Sequence, residues 1–203
     1  MHLTNKQILE FSERYRAAMI NSVTGFKSAN LIGTQDSNQQ HNLSIVSSVV
    51  HLGSHPPLLG IVFRPRAVPR HTLENILDTG FFTVNHVHKA YTHHAHQTSA
   101  RYDKSISEFS ACGLTPEFKA DFFAPFVKES RVQLGLHYRQ HQEIELNQTV
   151  FLVGEIEHLF VPEECVGEDG FIDLERAGTV CISGLDSYHT TNHLHRLPYA
   201  KPQ

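Results

Sequence analysis

The sequence predicts a mainly β protein that begins with an amphipathic helix. In the last third, apolar and polar residues alternate as they do in half-exposed antiparallel strands. Earlier runs rich in Val, Ile and Leu, bounded by Gly, Pro and Ser, indicate further strands. With 203 residues and 40% hydrophobic composition, the chain can bury one sizeable core. We therefore predict a single domain over residues 1–203.

The first element is a helix over about residues 4–20. Apolar residues recur there at three- and four-residue steps, and Thr4 or Asn5 is a plausible N-cap.

Strands and a second helix follow. A loop at residues 64–70 contains two prolines and three arginines, so it is neither helix nor central strand. Thr72 then stands where an N-cap belongs, and Gly80 ends the helix. The predicted strands around this loop and helix are SANLIGT, NLSIVSSVVHL, PLLGIVF and FFTVNHV.

The second half of the chain begins with short helices and loops over residues 89–128. The alternating segments after them predict three more strands, VQLGLHYRQHQEI, TVFLVGEIEHLFV and GFIDLERAG.

Composition excludes several functions. A net charge of -4 and a pI near 6.4 disfavour nucleic-acid binding. No apolar run approaches membrane-spanning length and the N-terminus carries charges, so we expect a cytoplasmic protein without a membrane partner. The three cysteines are odd in number and widely spaced, so we expect reduced thiols.

Sixteen histidines, many of them in close pairs, raise the question of a metal site. The sequence contains no HExxH or CxxC motif, and no carboxylate recurs at a fixed spacing from the pairs. We expect solvent-facing or hydrogen-bonded histidines and no metal, with a metal-binding protein as the alternative.

Two groups of polar residues suggest a site for a phosphorylated flat ring. Arg64, Arg66, Arg70 and Thr72 supply phosphate-binding groups beside a helix start. The alternative is that Thr72 only caps its helix and the arginines are solvated. Small polar residues before them, at positions 42–48, suit the carbonyl and imide edge of a flavin. Ordinary serines at turns and strand edges are the alternative.

The order of the motifs resembles that of the flavin reductase-like family, the FMN-binding split barrels. The matching pieces are GTQD, a polar loop, an Asn five residues before a Ser, Pro-Pro, TxxNI and GxFxVN. Downstream, QTSARYDKSISEFSACGLTPEF, VFLVGEIEHLFV and ISGLDSYHTTNHLHRLPYAKP resemble later family segments. Two departures are Leu134, where many members have cysteine, and Arg70-His71 in place of a Lys-Asp pair.

The resemblance implies a six-stranded antiparallel split β-barrel with flanking helices that forms a homodimer and binds FMN. It implies an NAD(P)H-dependent flavin reductase that passes a hydride from NADH or NADPH to the flavin. A monooxygenase or another electron acceptor would then receive the electrons. The alternative within the same fold is a non-catalytic flavin- or haem-binding electron carrier.

The resemblance also implies which residues touch FMN. His189, in SGLDSYH, is the candidate catalytic residue, although packing at a dimer interface is an alternative role for it and for Tyr188. Asn85 either contributes to the site or stabilises its own strand end. The implied FMN contacts at the ring edge and the phosphate side are Asn42, Ser44, Ser47, Ser48, Val49, Arg64, Arg70, Thr72 and Asn75.

Overall fold

The computed structural model describes residues 1–202 and contains a seven-stranded antiparallel sheet with small sheets and short helices around it. The helices are α1 (Asn5–Glu10), α2 (Glu13–Val23), α3 (His71–Thr79), α4 (Thr92–Gln97) and α5 (Glu108–Ala111). The strands are β1 (Lys27–Ser28), β2 (Asn30–Gln35), β3 (His41–Val46), β4 (Val49–Ser54), β5 (Pro57–Phe63), β6 (Phe81–His86), β7 (Pro116–Glu117), β8 (Phe126–Val127), β9 (Gln133–Ile144), β10 (Thr149–Phe160), β11 (Cys181–Ser183) and β12 (Ser187–His189).

The large sheet has the order β3-β2-β6-β9-β10-β5-β4, which is one strand more than the predicted six. Strands β3 and β4 are consecutive in the chain but form opposite edges of this sheet. Only Ser47 and Ser48 separate them. The sheet must therefore curl until its two edges lie close together, yet within residues 1–202 no ladder pairs β3 with β4.

The two long strands, β9 and β10, run side by side along their whole length. Register shifts interrupt the pairing between Val153 and Gly154 and again between Ile156 and His158. Such bulges bend a strand and increase its twist, which allows 12-residue strands to follow a curled sheet.

Strand β2 lies between two cores. Its six residues are all buried, because alternate side chains point to opposite faces of the sheet. Ile32 joins the core that contains Ile61, Leu73 and Phe82, whereas Leu31 joins the second core with Leu43 and Phe109. The second core holds α4 and α5 against the outside of the sheet.

The predicted N-terminal helix is two helices. Thr4 is the N-cap and forms a capping box with Gln7. The backbone of Phe11 is extended and ends α1, so the predicted continuous helix is wrong at this point. The Arg16 side chain compensates by donating to the carbonyl oxygens of Leu9 and Phe11 at 3.1 and 3.0 Å.

The structure confirms the predicted loop and helix in the middle of the chain and corrects two predicted strands. The basic loop, the helix that follows it and its end at Gly80, which has φ +81°, are confirmed. The predicted strand NLSIVSSVVHL is split by Ser47 and Ser48. GFIDLERAG is not a strand. Its backbone groups form hydrogen bonds within successive turns, such as the bond from the Gly170 N–H to the Gly167 carbonyl.

No helix within residues 1–202 is long and apolar enough to cross a membrane. All three cysteines are free thiols.

Candidate functional site

A hydrogen-bonded network of small polar side chains joins β2, β3 and α3. Asn42 Nδ2 donates to the Thr72 hydroxyl at 2.8 Å, and the hydroxyls of Ser44 and Thr72 lie 2.8 Å apart. The Thr34 hydroxyl accepts from Asn75 Nδ2 at 3.1 Å and from Asn42 Nδ2 at 3.4 Å. Four of the predicted FMN contacts are thereby brought together around one additional residue, Thr34.

Thr72 does not cap its helix. The helix begins at His71 with Arg70 as its N-cap, and no side-chain capping hydrogen bond is formed there. The interpretation of Thr72 as the N-cap is therefore wrong. Thr72 is instead 7% exposed and points toward β3. The prediction erred by two residues because an N-cap threonine and one inside the first helical turn look alike in sequence.

The connector between the sheet edges lies beside the end of β5. The Ser48 hydroxyl donates to the Val62 carbonyl at 2.7 Å, and Val49 pairs with Ile61. Ser47 and Val49 are half-buried. Because β5 runs directly into Arg64, the connector lies close to the start of the basic loop.

Three arginines converge at this loop. Partial burial, and then the charges of Arg64 and Arg101, lower the pKa of Arg70 below its ordinary value. Arg70 Nε donates to the Pro65 carbonyl at 3.2 Å. Throughout residues 1–202, none of these three guanidinium groups forms an ion pair with a carboxylate. Like charges held together without a counter-charge favour binding of an anion.

Sequence reasoning missed two members of this site. Thr34 is the second residue of the GTQD segment, which the sequence marks only as part of the motif order, whereas its hydroxyl joins the network directly. Arg101 lies in a loop 31 positions after Arg70, and no local pattern connects the two. The sequence signal that could have identified Arg101 is its position directly after the TSA segment.

Asn85 has the strand-stabilising role. It is completely buried, donates to the Leu31 carbonyl and the Thr83 hydroxyl at 3.1 and 2.8 Å, and accepts from Val127 N–H at 3.0 Å. These bonds join β2, β6 and β8.

His189 lies in β12, in the small sheet with order β1-β11-β12. Its Nε2 is 2.9 Å from the Ser183 hydroxyl and 3.1 Å from that of Ser187, and its ring lies edge-on to Phe26. These contacts belong to the small sheet and not to the polar network. The neighbouring Tyr188 hydroxyl bonds to His96 Nδ1 at 3.0 Å, and burial, assisted by the Asp186 charge, raises the pKa of Tyr188 to about 12.

The histidines form hydrogen bonds and aromatic contacts. His137, for example, stacks on Phe81 with 4.8 Å between ring centroids and lies 3.3 Å from a Glu157 carboxylate oxygen. In the part of the chain that the structure describes, no group of three or more His, Cys, Asp or Glu side chains is arranged to hold a metal ion.

The curled seven-stranded sheet with two edges that do not pair with each other is the fold of a split-barrel protein, and the polar network lies beside those edges. The family model described as "Flavin reductase like domain" matches residues 25–178, which is more than half of the chain. The chain therefore belongs to the flavin reductase-like family, as the motif order predicted. Membership places it among flavin-related oxidoreductases.

Solved structures agree with this fold. A proposed flavin reductase with a split barrel domain from Shewanella frigidimarina NCIMB 400 is 56% identical, with a TM-score of 0.95 over 98% of this chain and 100% of that one. Nitrilotriacetate monooxygenase component B from Bacillus cereus is 17% identical, with a TM-score of 0.84 and coverage of 97% and 98%. An FMN-binding protein from Thermus thermophilus is 13% identical, with a TM-score of 0.72 and coverage of 87% and 93%. No curated protein matches the chain in sequence.

Proposed function

We propose that the protein binds FMN at the split of the barrel and is an NAD(P)H-dependent flavin reductase. The observation that carries this proposal is the convergence of Asn42, Ser44, Thr72 and Asn75 in one network beside three arginines without carboxylate partners. Membership in the flavin reductase-like family supplies the flavin class. The FMN-binding relative from Thermus thermophilus supports FMN as the particular flavin.

The residues present fit FMN in both chemistry and position. The guanidinium groups of Arg64, Arg70 and Arg101 suit a terminal phosphate, which they would bind through charge-assisted hydrogen bonds. Hydroxyls of Ser44, Ser47 and Ser48 and backbone groups up to Val49 suit the ring edge and the ribityl chain. The network around Thr34 fixes β3 against α3, so these groups are held in place before the ligand arrives.

Bound FMN supplies the ability to accept a hydride from a nicotinamide. The protein's own contribution is to hold the ring, leave one face open for the nicotinamide and stabilise negative charge on the reduced ring. This chemistry requires no acid-base pair.

The remaining parts of the proposal concern partners. The unpaired α2 surface, where helix residues are partly or fully exposed, suits a homodimer interface. His189 would then serve either at the nicotinamide side or in the interface. The relative from Bacillus cereus supports a monooxygenase as one electron acceptor. We propose a cytoplasmic location for such a reductase.

The first experiment measures binding and turnover with the same preparation. Protein incubated with excess FMN and desalted should retain the flavin absorbance bands. Oxidation of NADH and of NADPH is then followed with FMN, FAD and ferric complexes as acceptors. Loss of all flavin on desalting, together with absence of turnover, contradicts the proposal. A yellow protein that oxidises neither nucleotide indicates the electron-carrier alternative.

The second experiment tests the phosphate side. The Arg64→Ala/Arg70→Ala double variant should weaken FMN binding by about a hundredfold, since each charge-assisted hydrogen bond contributes roughly 1.5 kcal/mol. Binding of riboflavin, which lacks the phosphate, should change little. Arg66→Ala is the matched control, because Arg66 lies in the same loop but is not among the charges that act on Arg70. Equal weakening for FMN and riboflavin contradicts a phosphate site here.

A further inference from the structure

Glu108 is a buried carboxylate that the proposed flavin chemistry does not use. It is 7% exposed, and its Oε2 accepts a hydrogen bond from the backbone N–H of Leu43 at 3.1 Å. Leu43 lies in β3, an edge strand that pairs only with β2. The carboxylate therefore satisfies a backbone donor on the side of β3 where no strand follows.

The position of Leu43 connects this bond to the flavin site. Its neighbours in the strand, Asn42 and Ser44, each bond to Thr72 at 2.8 Å. Because side chains alternate along a strand, these two point away from the face where the Leu43 side chain is buried in the second core. Thr72 holds β3 from α3, and Glu108 holds the same three residues from α5.

Packing fixes Glu108 in this position. The adjacent Phe109 is 1% exposed and belongs to the same core cluster as Leu43. A carboxylate on a rigid, buried segment can hold a strand with little entropic cost.

We propose that Glu108 is a positioning residue of the flavin site, whose ionised carboxylate fixes β3 so that Asn42 and Ser44 are correctly placed for the ring edge. The proposal rests on the proposed FMN function. It predicts that neutralising Glu108 weakens flavin binding, since a charge-assisted hydrogen bond is roughly twice as strong as a neutral one.

Protonation of Glu108 has opposite consequences for binding and for stability. Burial raises the pKa of Glu108, while the Leu43 N–H and the His71 charge partly oppose this rise. The folded protein therefore binds the proton more tightly than the unfolded chain, and its stability from this group increases as pH falls through the raised pKa. Flavin affinity should decrease over the same range. A purely structural residue would move both properties in the same direction.

Other titratable groups face the same region and must be separated from Glu108. They are His71 at the start of α3, His41 on β3, Cys112 after α5, and the Asp36–Lys104 ion pair at 3.7 Å. All of them remain in a Glu108→Gln variant, so the affinity ratio between wild type and variant isolates the Glu108 contribution.

The test is FMN affinity of the full chain between pH 5 and 8, measured by flavin fluorescence quenching, together with thermal unfolding at each pH. Glu108→Gln should bind FMN about fivefold more weakly than wild type at pH 8, the difference between a charged and a neutral hydrogen bond. The ratio should move toward one as pH falls through the raised pKa of Glu108, while wild type gains stability relative to the variant. Glu129→Gln is the matched control, because this partly exposed carboxylate also accepts a backbone N–H, from Thr115 at 3.1 and 3.2 Å.

A measurement on wild type alone covers the case in which the variant does not fold. The Leu43 amide resonance should shift with the ionisation of Glu108, and its hydrogen exchange should accelerate as pH falls relative to neighbouring amides. A constant affinity ratio across pH, or a Leu43 amide that does not titrate, overturns the positioning role. If wild type binds no FMN at any pH, the proposed function fails instead, so the two failures are distinguishable.

Discussion

Replacing Thr72 with valine tests whether the polar network belongs to the flavin site. The substitution keeps the side-chain shape and removes the hydroxyl that contacts Asn42 and Ser44, each at 2.8 Å. Asn42 keeps only its longer bond to Thr34, at 3.4 Å. We expect a loss of about 2 kcal/mol in the free energy of unfolding, because a buried amide loses its best partner.

That loss corresponds to a decrease in melting temperature of about 6 °C for a chain of this length. We also expect FMN affinity to fall by about tenfold, equivalent to roughly 1.4 kcal/mol, because Asn42 and Ser44 lose their common anchor. Thermal unfolding and a fluorescence titration with FMN measure the two effects.

Thr83→Val is the matched control for both measurements. Thr83 is completely buried, its hydroxyl donates to the Pro125 carbonyl at 2.7 Å, and it accepts from Asn85 at 2.8 Å. We expect a similar loss of stability with unchanged FMN affinity. If both variants bind FMN equally well, the Thr72 network is structural and lies outside the flavin site.

Three further predictions concern the scaffold. Gly60→Ala should destabilise the fold by roughly 1–3 kcal/mol in thermal unfolding, because the added Cβ would meet a Phe151 ring atom. Gly53→Ala is the control and should have little effect, because the atom nearest to its added Cβ lies 3.4 Å away, and equal losses of stability in the two variants would refute the packing argument. Gly80→Ala should cost about 1 kcal/mol, since φ is +81° at this helix end, and an unchanged denaturation midpoint would contradict it. The pKa of Asp36 is lowered, chiefly by the Gln40 N–H bond and also by the Asn38 N–H and the Lys104 charge, so the contribution of Asp36 to stability is present above the unfolded pKa and is lost as pH falls through the folded pKa. Asp36→Asn should therefore be less stable than wild type at pH 7, and the difference in stability should narrow below about pH 4. A difference in stability that widens on acidification would contradict this prediction.

Local signals were sufficient to predict the order of elements from β2 to β6, except for the break at Ser47 and Ser48 that separates β3 from β4. Strand β5 and its basic loop carry Val, Ile, Pro and Arg in patterns that report local conformation, and Gly80 supplies the left-handed residue that ends α3. The long strands β9 and β10 were likewise visible because their alternation extends over 12 residues each.

Nonlocal features were not predictable in the same way. The hydroxyl of Thr72 bonds to residues 28 and 30 positions earlier, so its inward direction depends on how β3 packs against α3. Arg101 approaches Arg70 only in the folded chain. The break at Phe11 is compensated by Arg16, a contact that a periodic apolar pattern does not reveal. Motif order pointed to the candidate site, and tertiary packing determines which atoms that candidate site presents.

The two-residue connector between β3 and β4 has a consequence for the shape of the candidate site. Two residues and their flanking bonds span at most about 10 Å, so covalent chain length limits how far the two sheet edges can separate. Closing such a short loop also costs little chain entropy compared with a long crossover. The width of the opening thus depends on the number of residues in the connector more than on their identity, and inserting a single residue there would loosen the opening without removing any sheet hydrogen bond.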